Sequence, residues 1–233
     1  MIVAAAVCPH PPLLFRELTG RHDVAGPLRE ACVAAVRETT AAAARVAVVG
    51  GADRSGSFDP AARVGVRGFG TTARRADDTG PALPLSLGVA TRLLGESGWD
   101  VPVDLRGIAW DASPAEVAEL GADLATGEEP TVLLELGDGS ARRGDTAPGY
   151  LDQRAFPFDE ATGRALAAGD PDGLLDLDAG LAARLMAGGR AALQVLGAAV
   201  REQGSEVEAR MLYQDDPFGV MYFVAVWRCR QVR

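Results

Sequence analysis

Three short apolar segments rich in β-branched residues constrain the fold of this chain more than any other feature. They are residues 2–7 (IVAAAV), 45–50 (RVAVVG) and 131–136 (TVLLEL). Apolar residues at helical spacing follow the first two segments, over about 25–44 and 85–98. Continuous apolar strands that alternate with helices are typical of a mostly parallel sheet covered on both faces.

The remaining segments extend the same pattern. A strand is predicted over 101–109, with a short strand at 63–66 and a loop over 67–83. Ser113-Pro114-Ala115-Glu116 predicts a helix start, and further helices are expected near 158–168 and 178–202. Strands over 207–213 and 220–227 are joined by six residues, too few for a crossover, so they should be antiparallel. The prediction is one three-layer α/β/α domain over 1–233, with a mostly parallel mixed sheet and a C-terminal antiparallel hairpin.

Composition excludes several classes of function. All 23 basic residues are Arg, and without Lys there is no Schiff-base chemistry and no P-loop lysine. A net charge of −9 argues against nucleic-acid binding, which needs clustered cations. The three Cys are scattered, as in a reducing compartment. The N-terminal apolar segment is too short to span a membrane, so a cytoplasmic protein is expected.

Candidate functional residues follow the predicted strands. Ligands of open α/β sheets bind beyond the carboxyl ends of the strands, and here the segments 8–12, 51–56 and 137–145 occupy such ends. His10 lies between Pro9 and Pro11, whose fixed backbone angles would hold the imidazole rigidly. Asp53 and Asp138 could be metal ligands or bases, or turn residues that bond their own backbone. His22 lies in a polar stretch typical of an exposed loop.

In order and spacing, several short motifs resemble the class III extradiol ring-cleavage dioxygenase superfamily. The closest similarity is to its protocatechuate 4,5-dioxygenase β-subunit-like domain, and Memo-type proteins share that fold. The motifs are VCPHPPLL at 7–14, LGDGSA at 136–141, APGY at 147–150, FD at 158–159, GLL at 173–175 and the hairpin over 212–226.

The resemblance implies a non-haem Fe(II) held by two His and one carboxylate, with a further His as acid/base. His10 corresponds to the first ligand. The second ligand would fall at Gly51-Ala52-Asp53, the acid/base histidine at Ala141, and the third ligand within residues 186–189 (MAGG). Fe(II) binds a given site more weakly than most divalent transition metals do, so it needs several well-placed donors. The missing ligand and acid/base histidines therefore argue against ordinary extradiol cleavage.

Three hypotheses follow. In the first, the protein is a degenerate dioxygenase-like member that keeps the fold and cleft and lacks catalytic Fe(II), and it binds a small aromatic ligand or acts as a scaffold. In the second, it is an active ring-cleaving oxidoreductase whose Fe(II) or other divalent metal is bound by His10 and Asp53. In that case His10, Asp138 and Ser140 are catalytic, and a partner subunit completes the site. The third is a homodimer, or a complex with another subunit, whose interface is formed by aromatic residues of the closing hairpin: Phe218, Tyr222, Phe223 and Trp227.

Overall fold

The computed structural model describes residues 1–19, 23–41, 43–65, 81–99 and 103–231. His22 and most of the predicted loop over 67–83 lie outside these residues. The strands are β1 (Ile2–Cys8), β2 (Arg45–Ala52), β3 (Gly56–Phe58), β4 (Val103–Ala109), β5 (Thr131–Leu136), β6 (Ser205–Asp215) and β7 (Tyr222–Gln231). The helices are α1 (Arg16–Thr19), α2 (Gly26–Thr40), α3 (Leu85–Ser97), α4 (Pro114–Ala125), α5 (Ala155–Ala168), α6 (Pro171–Leu175), α7 (Ala179–Arg184) and α8 (Arg190–Gln203).

One mixed sheet organises the molecule, with strand order β3-β4-β2-β5-β1-β7-β6. The four central strands β4, β2, β5 and β1 are parallel. The short strand β3, which the sequence did not reveal, pairs antiparallel with β4 at one edge. At the other edge β6 and β7 form the predicted antiparallel hairpin, and β7 is antiparallel to β1. The predicted α/β fold is confirmed.

Helices cover both faces of the sheet because the central strands are apolar on both. One core cluster lies between the sheet and α4, α5 and α8, and the other lies between the sheet and α2 and α3. The predicted start of α4 is confirmed in detail, since Ser113 and Glu116 form a reciprocal capping box. Within the described residues, no helix is long and apolar enough to cross a bilayer.

The closing hairpin belongs to the core, which corrects the expected aromatic interface. Tyr222, Phe223 and Trp227 are buried. The Trp227 indole Nε1 donates to the Leu166 carbonyl at 2.8 Å, so its polar atom also has a partner. Only Phe218, in the turn, is exposed. Alternating β7 side chains pack on the two faces of the sheet.

The predicted helix over 178–202 is divided into two. α7 ends at Arg184, Met186 has a positive φ of 54°, and α8 begins at Arg190. The break lets Gly189 pack backbone to backbone on Gly137, where a Cβ added to Gly137 would lie 2.6 Å from the Gly189 Cα. This contact brings the N-terminus of α8 to the carboxyl end of β5.

Candidate functional site

His10 and Asp138, which follow the adjacent strands β1 and β5, are held together by a backbone contact. The His10 backbone N–H donates to Asp138 Oδ1 at 2.7 Å. The His10 Nδ1 lies 3.6 Å from the same oxygen, too far for a good hydrogen bond, and has no hydrogen-bond partner within the described structure. The imidazole is only 6% exposed. Sequence analysis therefore paired these two residues correctly at one strand edge.

The loop after β5 is tied to α8 as well. The Gly189 N–H donates to the Asp138 carbonyl at 2.8 Å, and the Gly137 N–H donates to the Cys8 carbonyl at 2.9 Å. Glycine is required at both contacts, because a Cβ on Gly189 would lie 2.6 Å from the Asp138 carbonyl oxygen. The loops after β1 and β5 and the start of α8 thus form one rigid unit.

Trp110, which follows β4, separates His10 from Asp53. Its indole stacks on the His10 ring with centroids 5.9 Å apart and an interplanar angle of 24°. The indole Nε1 donates to Asp53 Oδ1 at 3.3 Å. A Cβ placed on Gly51 would lie 1.7 Å from the indole, so Trp110 covers the glycine directly. The indole thus lies between His10, which lines one cavity, and Asp53, which lines a separate depression on the other side of the indole.

A cavity of ≈ 770 Å³ opens between these strand ends and the segment from α7 to α8. Its walls are mainly apolar, and the polar residues that line it include His10, Asp138, Arg190 and Tyr222. Burial raises the pKa of Tyr222 well above its usual value, and Asp138 adds to the effect, so the phenol stays protonated at neutral pH. Asp53 and Ser140 are not among the lining residues.

Ser140 lies behind the cavity wall in a buried polar network. Its hydroxyl donates to Asp159 Oδ2, and its backbone N–H donates to Asp159 Oδ1 at 2.8 Å. Arg143 donates to Asp159 at 3.3 Å and also bonds Asp216. Burial raises the pKa of Asp159, while the bonds from Ser140 and Arg143 oppose that rise. The position of Ser140 fits an anchor for the loop after β5, in place of the catalytic role predicted from the sequence.

Two cavity residues escaped the sequence analysis. Arg190 begins α8 and is 5% exposed, and Trp110 is 42% exposed at the rim. The predicted site included the carboxyl ends of β1, β2 and β5 and left out that of β4, which Trp110 follows. The rule that ligands bind beyond the carboxyl ends of parallel strands also applies to β4 and would have identified Trp110. No local sequence signal marks Arg190, because its position depends on the break between α7 and α8.

The residues present do not fit the iron site that the resemblance implies. Within the described residues, no three His, Cys, Asp or Glu side chains are grouped so that they could hold a metal. Ala141 lines the cavity where the acid/base histidine would be, and Ala187 and Gly188 line it in the third-ligand region. His10 and Asp138 alone give too few donors for Fe(II).

Comparisons with known proteins support the fold alone. No family model matches this sequence, and no curated protein matches it. Among solved structures, the chain is similar to uncharacterized protein JW3007 from Escherichia coli K12, with a TM-score of 0.56 and 14% identity. That similarity covers 97% of this chain and 99% of the other. The chain therefore has the same α/β architecture as this structure over almost its whole length.

Proposed function

We propose that this protein binds a small aromatic ligand in the cavity beside His10 and does so without a catalytic iron. The observation that carries the proposal is Trp110, whose indole covers Gly51 and stacks on His10. The same side chain closes the position of the second metal ligand and gives the cavity an aromatic wall.

The size and lining of the cavity support ligand binding. Small-molecule sites commonly have volumes of about 300–1,000 Å³, with mainly apolar walls and a few fixed polar groups. This cavity has a volume of ≈ 770 Å³, and its mainly apolar lining includes the polar residues His10, Asp138, Arg190 and Tyr222. The backbone of His10 is held by its bond to Asp138, and Tyr222 is buried in β7, so both residues are positioned before any ligand arrives. Such preorganisation lowers the entropic cost of binding.

The experiment is isothermal titration calorimetry of the purified chain with a panel of catechol, phenol and benzoate, in the presence of a metal chelator. We expect saturable binding of at least one member. The matched variant is Ala183→Phe, because Ala183 lines the cavity and is exposed, so a bulky side chain there narrows the cavity without disturbing the core. Unchanged binding in that variant, or no binding by any panel member, would contradict the proposal.

Oxygen uptake separates this proposal from an active dioxygenase. The same protein, purified anaerobically and supplied with Fe(II), is mixed with a catechol panel in an oxygen electrode. The proposal predicts no uptake above the rate of free Fe(II). Uptake that disappears in His10→Ala would establish the alternative, an active iron oxidoreductase with a non-standard site.

A further inference from the structure

Arg190 is a buried cation whose hydrogen-bond partners are all neutral. Its Nη1 donates to the Ala112 carbonyl at 2.9 Å and to Gln194 Oε1 at 3.0 Å. Its Nη2 donates to the Trp110 carbonyl at 2.8 Å. A guanidinium has five N–H donors. Three are used here, and the buried Nε is among the donors left without a partner in the described structure.

The charge of Arg190 is also without a close counter-ion in the described part of the chain. Asp111, the neighbouring acidic residue, is exposed and makes no hydrogen bond with it. Burial of a cation costs several kcal/mol of solvation, which a nearby anion offsets only with good geometry. A purely structural role, in which Arg190 binds the two carbonyls after β4 and the Gln194 side chain, explains three donors. It leaves the charge and the remaining donors unexplained.

The N-terminus of α8 adds a second positive feature at the same place. This helix has 14 residues, its N-cap Gly189 supplies no side-chain hydrogen bond, and its first turn contains no acidic residue. The first amide N–H groups of a helix lack intrahelical partners and carry partial positive charge. Gly188, Arg190 and Ala191, which flank this terminus, all line the cavity.

We infer that the α8 end of the cavity is an anion subsite that takes the carboxylate of a small organic acid. The inference rests on the proposed function and specifies its ligand class. Asp138 also lines the cavity, beside His10, and its negative charge would repel a carboxylate at that end. The acid group is therefore directed to Arg190, and the uncharged part of the ligand lies along Trp110 and His10.

The test compares benzoate with benzamide, which has the same shape and no charge, by calorimetry at neutral pH. We expect the wild-type protein to bind benzoate about tenfold more tightly than benzamide, because charge-assisted hydrogen bonds are stronger than neutral ones. The preference should fall only slightly as the salt concentration is raised, since a buried site is screened little. This comparison uses only the wild-type protein, so its result does not depend on whether a variant folds.

Variants of Arg190 test whether this residue causes the preference for benzoate. Arg190→Gln should remove the preference, so that the variant binds benzoate and benzamide with similar affinity. Arg190→Lys should retain a part of the preference, because it keeps the charge and loses the planar donors. The control is Arg201→Gln on the same helix, where Arg201 is exposed at the far end and pairs with Asp172.

The possible outcomes distinguish the anion subsite from the aromatic binding site. Equal affinities for benzoate and benzamide in the wild type would overturn the anion subsite and leave the aromatic binding site intact. A preference that survives in Arg190→Gln, with circular dichroism showing a folded protein, would overturn it too. Binding of catechol or phenol without binding of benzoate or benzamide would overturn the subsite alone, and no binding of any of the four compounds would contradict the proposed function as well.

Discussion

Two pairs of parallel strands end on the same side of the sheet, and the residues that follow the two pairs form different surroundings. After β1 and β5, short loops are fixed by buried hydrogen bonds and present His10 and Asp138 to a cavity. After β2 and β4, Trp110 covers Gly51, and Asp53 points to an exposed depression on the other side of the indole. Topology makes every parallel strand end a potential site, but the side chain that occupies the space decides which ends can bind.

The two pairs of ends therefore present different chemistry: a histidine and a carboxylate at the first, and an indole at the second. The predictions below are ordered from the largest expected effect to the smallest, and each tests one side of this contrast.

Removal of the Asp159 carboxylate should have the largest effect, because it anchors the loop after β5. Asp159→Ala leaves the Ser140 N–H, the Ser140 hydroxyl and one Arg143 donor without an acceptor. Leaving buried donors unsatisfied costs about 1–3 kcal/mol each, so a loss of about 3 kcal/mol or more in unfolding free energy is expected. Urea denaturation measures it. A loss below about 1 kcal/mol would show that the loop is held by other contacts.

A second buried carboxyl, Glu135 in β5, should give an effect of the opposite sign. It is fully buried between Val7 and Val49, and neither of its carboxyl oxygens has a partner within the described residues. Burial raises the pKa of Glu135 well above 4.5, so the folded protein holds this proton more tightly than the unfolded chain. The contribution of Glu135 to stability is therefore most favourable below pH 4.5 and falls as pH rises toward the folded-state pKa.

Glu135→Leu removes that pH dependence and the cost of burying a polar group. We expect the variant to be more stable than wild type by about 1–3 kcal/mol at neutral pH, with a smaller difference at pH 4. Urea denaturation at the two pH values checks this. A variant that is less stable at neutral pH would mean that Glu135 makes an interaction the structure does not show.

Trp110→Ala tests the aromatic wall that the second pair of strand ends supplies. Loss of a stacking contact is worth about 0.5–1.5 kcal/mol beyond area burial, so the affinity for the aromatic ligand should fall roughly threefold to tenfold. The fold should persist, since Trp110 is 42% exposed. Calorimetry of binding, with urea denaturation as control, separates the two effects. Unchanged affinity would place the ligand away from His10.

Asp53→Ala should have the smallest effect. The Asp53 carboxylate is exposed and makes one long bond to the Trp110 indole. The expected change is within about 0.5 kcal/mol for stability, with binding unaffected. The same assays as for Trp110→Ala apply. A binding loss as large as that expected for Trp110→Ala would place Asp53 in the site and contradict the separation described here.

Sequence analysis predicted the sheet and much of the first pair of strand ends, because their signals are local. The apolar segments, the capping box at Ser113 and the loops at His10 and Asp138 can each be identified within a few residues. Asp159 behind Ser140, Trp110 over Gly51 and Arg190 at the start of α8 could not be found in this way. They are contacts between distant segments, set by backbone packing of Gly137 on Gly189 and by the break before α8.

The measurement that tests the central claim most directly combines metal analysis with ligand binding on one preparation. The protein is purified anaerobically, its iron content is determined, and benzoate and catechol are titrated before and after treatment with a chelator. We predict iron far below one equivalent per chain and the same ligand affinity in both titrations. Near-stoichiometric iron, with binding lost after chelation, would contradict the claim that this cavity binds its ligand without a metal.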